Sequence, residues 1–550
     1  MTIKNEIHNI EEVMPIGSAP LEGKSYNEFG VGRYTYKGDY RWRVYSQSDD
    51  IYISSEKTTN VSKMQVLSFI SWWHYGNSKF YIYKVNCVKR PSNFMYVGNV
   101  HKTISGNDSN YYEMYVVDAI GNKKEKKPMN SMNLTGIDYS EFGISYFRYT
   151  STPGTTPGHM WRVFARNDDI YYSYEETIDE SKLIPLSFIS FWAFGDANNI
   201  YLYKKGSVKK PSSYAYLGRV HTNITGNYDS YCELGVIDKI NNKKERLQLS
   251  DAKSEKSYSG FGVGYSIGNN GANLWRIFAE DDDIYYSYTD TTNEADLKPL
   301  SYNNIQPLGD SKVIYLYKKG SVKKPSSYTY LGTVHPITNR NASNGDELFI
   351  VDKIKNKKEK RSISEVGPEI SYSGFGIGYS THPSLASLWR VYSEDDDIYY
   401  SYTDTTNEAD LKPLSYIHFA TNRDAMKVYL YKKGSIKVPS SYTYIGSVHP
   451  ITQRNASNGD ELFIIDKITN IKEKKKIGEV KSNINYSGFG VGYGYYVSLG
   501  DLWNVYNIDN DIYYSMKETN NASDLTKLSS SNLTFATNVE AREYYLYKKK

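Results

Sequence analysis

The sequence predicts an all-β protein made of tandem units, each about 114 residues long. Two segments of 23 residues, at 280–302 and 394–416, are identical and start 114 positions apart. Short runs that alternate between apolar and polar residues are dense, whereas helical periodicity is scarce. A tryptophan in an apolar run recurs, and its last four occurrences are 114 residues apart: Trp42, Trp161, Trp275, Trp389 and Trp503. A repeat of this length is the size of a small domain rather than of a solenoid turn.

Each predicted strand is short and has two distinct faces. In the run LWRVY, Trp389 and Val391 share one face, and in IYYSY the residues Ile398, Tyr400 and Tyr402 share one face. Six to eight such strands per unit would form a small β-sandwich, a barrel or a β-prism-like fold. Tyrosine, with 56 residues, is the most unusual feature of the composition, and it suits strands and half-polar surfaces.

Polar segments separate the predicted strands. We interpret SEDDDI at 393–398 and KNKKEK at 355–360 as hairpin tips, because turns favour Asp, Asn and Gly. The segment TTNEADLKPL at 291–300 predicts one helical turn, which a Thr or Asn caps and which ends near the proline.

The motifs define the domain boundaries only to within half a unit. The Tyr-x-x-Phe-Gly motif occurs five times, whereas a second motif that ends in Val-His occurs four times. One phase gives an N-terminal segment at 1–25, repeats at 26–138, 139–256, 257–370 and 371–484, and a C-terminal half repeat at 485–550. The other phase gives an N-terminal half followed by four full copies.

Charge and cysteine content narrow the classes of function. The net charge of +4, from 66 basic and 62 acidic side chains, argues against a dedicated nucleic-acid-binding protein. Cys87 and Cys232 occupy non-equivalent positions, which excludes a repeated disulfide or a repeated cysteine metal site. The N-terminus lacks the apolar core of a standard signal peptide, and no run reaches 18 apolar residues. We expect no transmembrane segment, and either cytoplasmic accumulation or non-classical release.

Repeated acidic segments raise the question of calcium. Calcium needs several converging oxygen ligands, and carboxylates two positions apart on a tight turn can converge. The candidate calcium ligands are therefore Asp281 with Asp283, and Asp395 with Asp397. The alternative is a solvated turn that favours aspartate and protects a strand edge from aggregation. No other cofactor is expected.

Aromatic residues and a recurrent histidine are candidates for ligand binding. Aromatic rings stack on the apolar faces of sugars, and they lose little conformational entropy on binding. Packing in the core is the alternative for the tryptophans. One histidine per unit, with no second His or Cys at ligand spacing, is a weak metal signal, and contact with a loop or a ligand fits it better. The candidate residues are Trp161, His221, Trp275, Tyr286, Tyr288, His335, Trp389, Tyr400, Tyr402 and His449.

Catalysis is not expected. No phosphate-binding glycine loop, no GxSxG elbow and no HExxH motif is present. The lysine-rich segments KKGSVKKP and NKKEKR suit peripheral contact with an anionic lipid surface. Their interruption by Gly, Pro and Glu also fits a solvated loop that guards a strand edge.

The pattern Tyr-x-[Leu/Ile]-Gly-x-Val-His, followed by a loop and an apolar strand, resembles natterin-type mannose-binding lectins. It stands here as Gly218-Arg219-Val220-His221 and its equivalents, and it covers about 35 residues per unit. The resemblance implies short paired β repeats, a β-prism-like fold and relatives among toxins. The Pro-Gly-Lys step of that family is absent, so no ligand residues are carried over.

Two hypotheses of function follow. The first is a multivalent lectin-like protein that binds glycans or cell-surface glycoconjugates and is associated with a toxin, because repetition multiplies weak sites. The second is a structural, self-assembling protein such as an inclusion, coat or appendage component, because a nearly balanced charge favours association.

Overall fold

The structure is a computed structural model of the whole chain, and its description covers most of the sequence. The residues described are 1–5, 10–36, 38–73, 79–104, 106–107, 112–128, 136–149, 158–167, 169–192, 199–224, 232–267, 273–306, 312–337, 347–363, 365–366, 369–382, 386–420, 426–451, 461–496, 500–528, 533–536 and 542–550. The chain forms two compact units. The first comprises Met1–Lys253, Tyr286–Leu297 and Ile305–Tyr317, and the second comprises Ser254–Tyr285, Lys298–Asn304 and Lys318–Lys550.

Most of the described residues lie in strands, which we group in five modules along the chain. The N-terminal module contains β1 (Thr2–Asn5), β2 (Ile10–Val13), β3 (Lys24–Ser25), β4 (Phe29–Tyr36), β5 (Asp39–Ser46), β6 (Ile51–Ser54), β7 (Gln65–Val66), β8 (Phe69–Trp73) and β9 (Tyr81–Lys84). Module 1 contains β10 (Phe94–Ile104), β11 (Gly106–Asn107), β12 (Tyr112–Asp118), β13 (Lys123–Pro128), β14 (Ile137–Asp138), β15 (Phe142–Tyr149), β16 (Gly158–Ala165), β17 (Ile170–Ser173), β18 (Ile184–Pro185), β19 (Phe188–Trp192) and β20 (Asn199–Lys205).

The remaining modules repeat this succession. Module 2 contains β21 (Tyr214–Ile224), β22 (Cys232–Asp238), β23 (Lys243–Gln248), β24 (Lys256–Ser257), β25 (Phe261–Ile267), β26 (Asn273–Ala279), β27 (Ile284–Ser287), β28 (Lys298–Pro299), β29 (Tyr302–Ile305) and β30 (Val313–Lys319). Module 3 contains β31 (Tyr328–Ile337), β32 (Glu347–Asp352), β33 (Lys357–Ser362), β34 (Ile370–Ser371), β35 (Phe375–His382), β36 (Ala386–Ser393), β37 (Ile398–Ser401), β38 (Lys412–Pro413), β39 (Tyr416–Ala420) and β40 (Val428–Lys433). Module 4 contains β41 (Tyr442–Ile451), β42 (Glu461–Asp466), β43 (Ile471–Lys476), β44 (Ile484–Asn485), β45 (Phe489–Tyr496), β46 (Gly500–Asn507), β47 (Ile512–Ser515), β48 (Thr526–Lys527), β49 (Leu533–Ala536) and β50 (Tyr544–Lys549).

The helical structure among the described residues consists of single 3₁₀ turns. They span Ile16–Ser18, Val61–Lys63, Glu180–Lys182, Asp251–Ser254, Glu294–Asp296, Glu408–Asp410, Ile477–Val480 and Ala522–Asp524. The predicted turn in 291–300 is confirmed, because the Asn293 side chain accepts a hydrogen bond from the backbone N–H of Ala295 at 3.1 Å. In the part of the chain that the structure describes, no helix has the length and hydrophobicity needed to cross a bilayer.

Modules 1, 3 and 4 are each a sandwich of two antiparallel sheets. In module 1 the six-stranded sheet has the order β13-β12-β10-β20-β17-β18, and the four-stranded sheet has the order β14-β15-β16-β19. The same orders recur with the corresponding strands of modules 3 and 4. Residues of both sheets form one core around Trp161, which packs with Val100 and Met114 of one sheet and with Ile144 and Val163 of the other. The prediction of tandem all-β units is therefore confirmed, with ten strands per sandwich instead of six to eight.

The sandwiches join the second half of one sequence repeat to the first half of the next. Strand β10 pairs with β20, with Val100 opposite Ile200, and β31 pairs with β40 in the same way. The boundaries at 139, 257, 371 and 485 therefore fall between the two sheets of a module, near β14, β24, β34 and β44. The choice between the two phases as domain boundaries stays a prediction.

A glycine at the bulge in β31 permits the close approach of its hairpin partner β32. The register of β31 against β40 shifts between Tyr330 and Gly332, and Gly332 has a φ of +146°. A Cβ atom built on Gly332 would lie 1.8 Å from the carbonyl oxygen of Val351. The glycine of the Gly-x-Val-His motif is thus required by backbone packing, since no other residue fits this bulge.

The two predicted hairpin tips have different outcomes. The segment KNKKEK is confirmed, because β32 pairs with β33 and Asn356 adopts a left-handed φ of 50° in the turn. The segment SEDDDI was predicted wrongly. Strand β36 pairs with β35 and β39 in one sheet, whereas β37 pairs with β38 and β40 in the other. The acidic segment is therefore an arch between the two sheets of a sandwich.

Residues 1–25 help to complete the N-terminal module. Strands β1 and β2 form an antiparallel hairpin. Ile3, Met14 and Ala19 are buried in one cluster with Trp42 and Val44. This segment therefore supplies apolar surface to a module that has fewer strands than the others.

A buried carboxylate stabilises the junction between consecutive modules. In the second unit, Asp404 accepts hydrogen bonds from the Lys319 ammonium at 2.8 Å, from the Tyr285 hydroxyl at 2.8 Å and from the backbone N–H of Lys323 at 3.1 Å. The Lys319 side chain is only 6% exposed. Comparable buried pairs are Lys205–Asp290 and Lys433–Glu518.

We predict that Asp404→Asn destabilises the protein by about 3–5 kcal/mol, because it leaves the buried Lys319 ammonium without its counter-charge. Urea unfolding followed by tryptophan fluorescence would measure the change. The matched control is Glu175→Gln, which breaks an exposed ion pair with Lys182 at 2.7 Å and should cost about 1 kcal/mol or less. Equal losses of unfolding free energy in the two variants would contradict a stabilising role of the buried Asp404–Lys319 pair.

Candidate ligand-binding surface

A pair of tyrosines at the edge of the six-stranded sheet is the exposed aromatic feature that recurs. In module 2, the rings of Tyr286 and Tyr288 are 5.7 Å apart at 84°, and Tyr288 is 49% exposed. In module 3, Tyr400 and Tyr402 are 5.6 Å apart at 78°, and Tyr402 is 44% exposed. Module 1 has the same edge-to-face arrangement, formed by Tyr172 and Tyr174 at 5.6 Å. We call these three arrangements the tyrosine pairs.

Strand geometry explains why one ring of each pair is anchored and the other is exposed. Tyr400 lies in β37 and packs against the core of its sandwich. The outer neighbour of β37 is β38, which has only two residues, so the sheet ends beside Tyr402. Burial raises the pKa of Tyr172 to about 12, and it also raises the pKa of Tyr400. Both phenols are therefore neutral at pH 7 and can donate as well as accept hydrogen bonds.

The loop that follows each pair is fixed by its own side chains. In module 3, Ser401 Oγ accepts from the backbone N–H of Thr403 at 3.2 Å, and Thr405 donates to Asp410 at 2.7 Å. Asn407 accepts from the backbone N–H of Ala409 at 3.1 Å. A rigid polar loop beside an exposed ring lowers the entropy lost when a ligand binds.

The three tryptophans expected at a ligand face lie in the core instead. Trp161, Trp275 and Trp389 are each fully buried, and Trp161 and Trp389 sit between the two sheets of their sandwiches. A ligand outside the module cannot reach an enclosed side chain. The structure therefore supports the packing alternative for these three tryptophans and leaves the tyrosines as the accessible aromatic residues among the candidates.

The three histidines are also enclosed, because their rings are cross-strand partners inside the fold. His335 Nδ1 lies 3.1 Å from Ser301 Oγ, and its ring lies 5.4 Å from that of Phe349. His449 Nε2 donates to the carbonyl oxygen of Ser393 at 3.1 Å. Burial lowers the pKa of His449 to about 4. His221 is 2% exposed and occupies the equivalent position in module 2.

The acidic segments converge as predicted, but a lysine lies where a cation would be. The Lys318 ammonium is 2.5 Å from a carboxylate oxygen of Asp281 and 3.7 Å from one of Asp283. In module 3 the Lys432 ammonium takes the same place, in contact with Asp395 and 3.6 Å from Asp397. Within the described ranges, no group of three or more His, Cys, Asp or Glu side chains is placed to hold a metal ion. Calcium at these segments stays a prediction.

Sequence reasoning missed two buried charged groups. One is the junction carboxylate, such as Asp404, and the other is the arginine after each tryptophan. Arg276 and Arg390 are fully buried and form ion pairs with Glu255 and Glu369. The Trp-Arg dipeptide recurs four times, which was the available signal. Alternation predicts that an arginine next to a core tryptophan faces outward, and its partner lies just before the first strand of the same four-stranded sheet.

The chain matches no model of a known protein family and no curated protein sequence. The resemblance to natterin-type lectins therefore stays a prediction.

We predict that acid destabilises the protein through its buried histidines. Unfolded histidine binds a proton near its ordinary pKa of 6.5, whereas folded His449 does so only near 4 and folded His101 near 3. Stability should therefore be complete above pH 6.5 and fall as the pH drops toward 4, by about 1.4 kcal/mol per pH unit for each histidine. Denaturant unfolding across this range would test it. His449→Gln should reduce the slope, and an unchanged slope would contradict the assignment.

A second prediction concerns calcium. Because lysine ammoniums already neutralise the acidic segments, the melting temperature of the full chain should be the same with calcium and with a chelator. Differential scanning calorimetry under both conditions is the measurement. A saturable rise with calcium would instead assign these carboxylates to a calcium site.

Proposed function

We propose that this protein is a multivalent, lectin-like binding protein for glycans or cell-surface glycoconjugates. The observation that carries the proposal is the repetition of an exposed, edge-to-face tyrosine pair in three modules. Each pair offers an apolar ring face for a sugar and neutral hydroxyls for its polar groups.

The geometry of each pair supports binding rather than packing of the outer ring. The inner tyrosine is anchored against the core, as Tyr172 and Tyr400 are, which keeps the outer ring in place. A single such site would bind weakly, because one ring buries little area. Several weak sites on one chain raise the avidity for a surface that carries many copies of the ligand.

Self-assembly into an inclusion, coat or appendage remains the alternative, and it would use the same exposed tyrosines. The two functions predict different oligomeric states in the absence of a ligand. A lectin binds soluble glycans while monomeric, whereas an assembling protein sediments as larger species in the absence of any ligand.

We predict that a triple variant without the outer tyrosines does not bind to a glycan array. The variant combines Tyr174→Ala, Tyr288→Ala and Tyr402→Ala. The stacking surface is then lost, while the inner tyrosines and the core stay intact. The matched control is Tyr495→Ala, which removes a tyrosine that is 65% exposed but lies on β45, outside the tyrosine pairs.

The array should be probed with the intact chain, and analytical ultracentrifugation should accompany it. Binding that survives the triple substitution would contradict the tyrosine pairs as the site. Self-assembly would be favoured if the intact chain binds no glycan on the array and sediments as large species, and if the triple substitution converts these species to monomers.

A further inference from the structure

A small cavity in the first unit lies where module 2 departs from its copies. On the paired strands β21 and β22, His221 lies opposite Gly235. The other modules place an aromatic ring opposite the histidine, in the pairs His101–Tyr115, His335–Phe349 and His449–Phe463. Without that ring, a cavity of about 40 Å³ remains beside His221. This volume holds a few water-sized groups.

The cavity has an unusual charge for its position. Arg166, Lys244 and Arg246 line it, together with one carboxylate, Glu245, which pairs with Lys243 at 2.7 Å. The junctions after modules 2 and 3 have acids where this one has Arg166 and Asn167, namely Glu280 with Asp281 and Glu394 with Asp395. At those junctions the lysine equivalent to Lys244 pairs with an aspartate, as Lys358 does with Asp281. Here that aspartate is replaced by a neutral residue.

The histidine presents a hydrogen-bond acceptor to the cavity. Ser187 Oγ donates its only proton to the carbonyl oxygen of Thr222, at 2.5 Å. The same oxygen lies 3.4 Å from Nδ1 of His221, so in this second hydrogen bond the serine accepts and the histidine donates. The proton is thereby assigned to Nδ1, which leaves a lone pair on Nε2. A Cβ atom on Gly235 would lie 2.4 Å from Nε2, so this nitrogen faces the glycine and the cavity. His221 is only 2% exposed, yet among the described residues no hydrogen-bond partner lies at its Nε2.

We propose that this cavity binds a small oxyanion that carries an O–H group, such as hydrogen phosphate or an α-hydroxycarboxylate. Two guanidiniums and an ammonium suit an oxyanion, because Arg forms paired hydrogen bonds with two oxygens. Asp138 already lies 3.4 Å from Arg166 and 3.8 Å from Arg246, so both arginines approach a carboxylate of this chain. The hydroxyl of the ligand donates to His221 Nε2. This site is separate from the tyrosine pairs and does not depend on the proposed function.

The inference is tested by isothermal titration calorimetry of the full chain with phosphate, sulfate and glycolate in a buffer free of other oxyanions. We expect one saturable site for hydrogen phosphate or glycolate, and weaker binding of sulfate, which has no O–H at neutral pH. Gly235→Phe restores the ring that modules 3 and 4 have and should abolish binding. Lys244→Gln, at an exposed position, should weaken binding about tenfold.

The matched control is Lys358→Gln, which removes the equivalent lysine where the cavity is filled by Phe349 and should leave binding unchanged. Circular dichroism melting shows whether each variant is folded. If Gly235→Phe fails to fold, the pair Lys244→Gln and Lys358→Gln decides the question. Absence of saturable binding by all three anions overturns the proposal. Binding that Gly235→Phe leaves intact, or that both lysine variants weaken equally, overturns it as well.

Discussion

The pairing of two distant strands is the constraint on which the rest of this structure depends. In module 1, β10 and β20 lie about a hundred residues apart in sequence, yet they are neighbours at the centre of the six-stranded sheet. Val100 of one strand and Ile200 of the other belong to the core that encloses Trp161. Closing so long a connection costs entropy, which apolar burial against the second sheet must offset. The bulge glycines let the central strand lie close to its hairpin partner, because a Cβ atom at Gly332 would collide with the carbonyl oxygen of Val351 on β32.

Because distant strands pair within each six-stranded sheet, the acidic segments connect one sheet to the other. In module 3 the acidic segment arches from one sheet to the other, and Lys432 and Lys472 neutralise it. Asp281 contacts Lys318 of the same module and Lys358 of module 3, so one carboxylate serves both a sandwich and a junction. The buried ammonium of Lys319 depends on Asp404 in the same way. Charge pairing across junctions thus accounts for side chains that the sequence offered as metal ligands.

The copies share one fold but differ at a few positions where packing tolerates change. The tyrosine pairs occur in modules 1, 2 and 3, whereas module 4 has Met516, which is 55% exposed, at the place of the outer tyrosine. Gly235 replaces an aromatic ring in one copy only, and the same junction exchanges an acidic residue for Arg166. A tandem architecture therefore allows one module to acquire a separate site while the others maintain the repeated surface.

The sequence by itself determined the all-β class, the short strands, the 3₁₀ turn after Asn293 and the hairpin between β32 and β33. These features depend on local patterns, namely alternation with period two, turn residues and side-chain caps, which act within a few residues. Only the tertiary structure decided which strands meet, and therefore that SEDDDI is an arch and that Trp389 and His449 are enclosed. Alternation assigns a residue to a face of a strand, but it does not say what covers that face. The tyrosine pairs illustrate the difference: Tyr400 and Tyr402 share a face in the sequence, yet β38 ends beside them, so one ring packs against the core and the other is exposed.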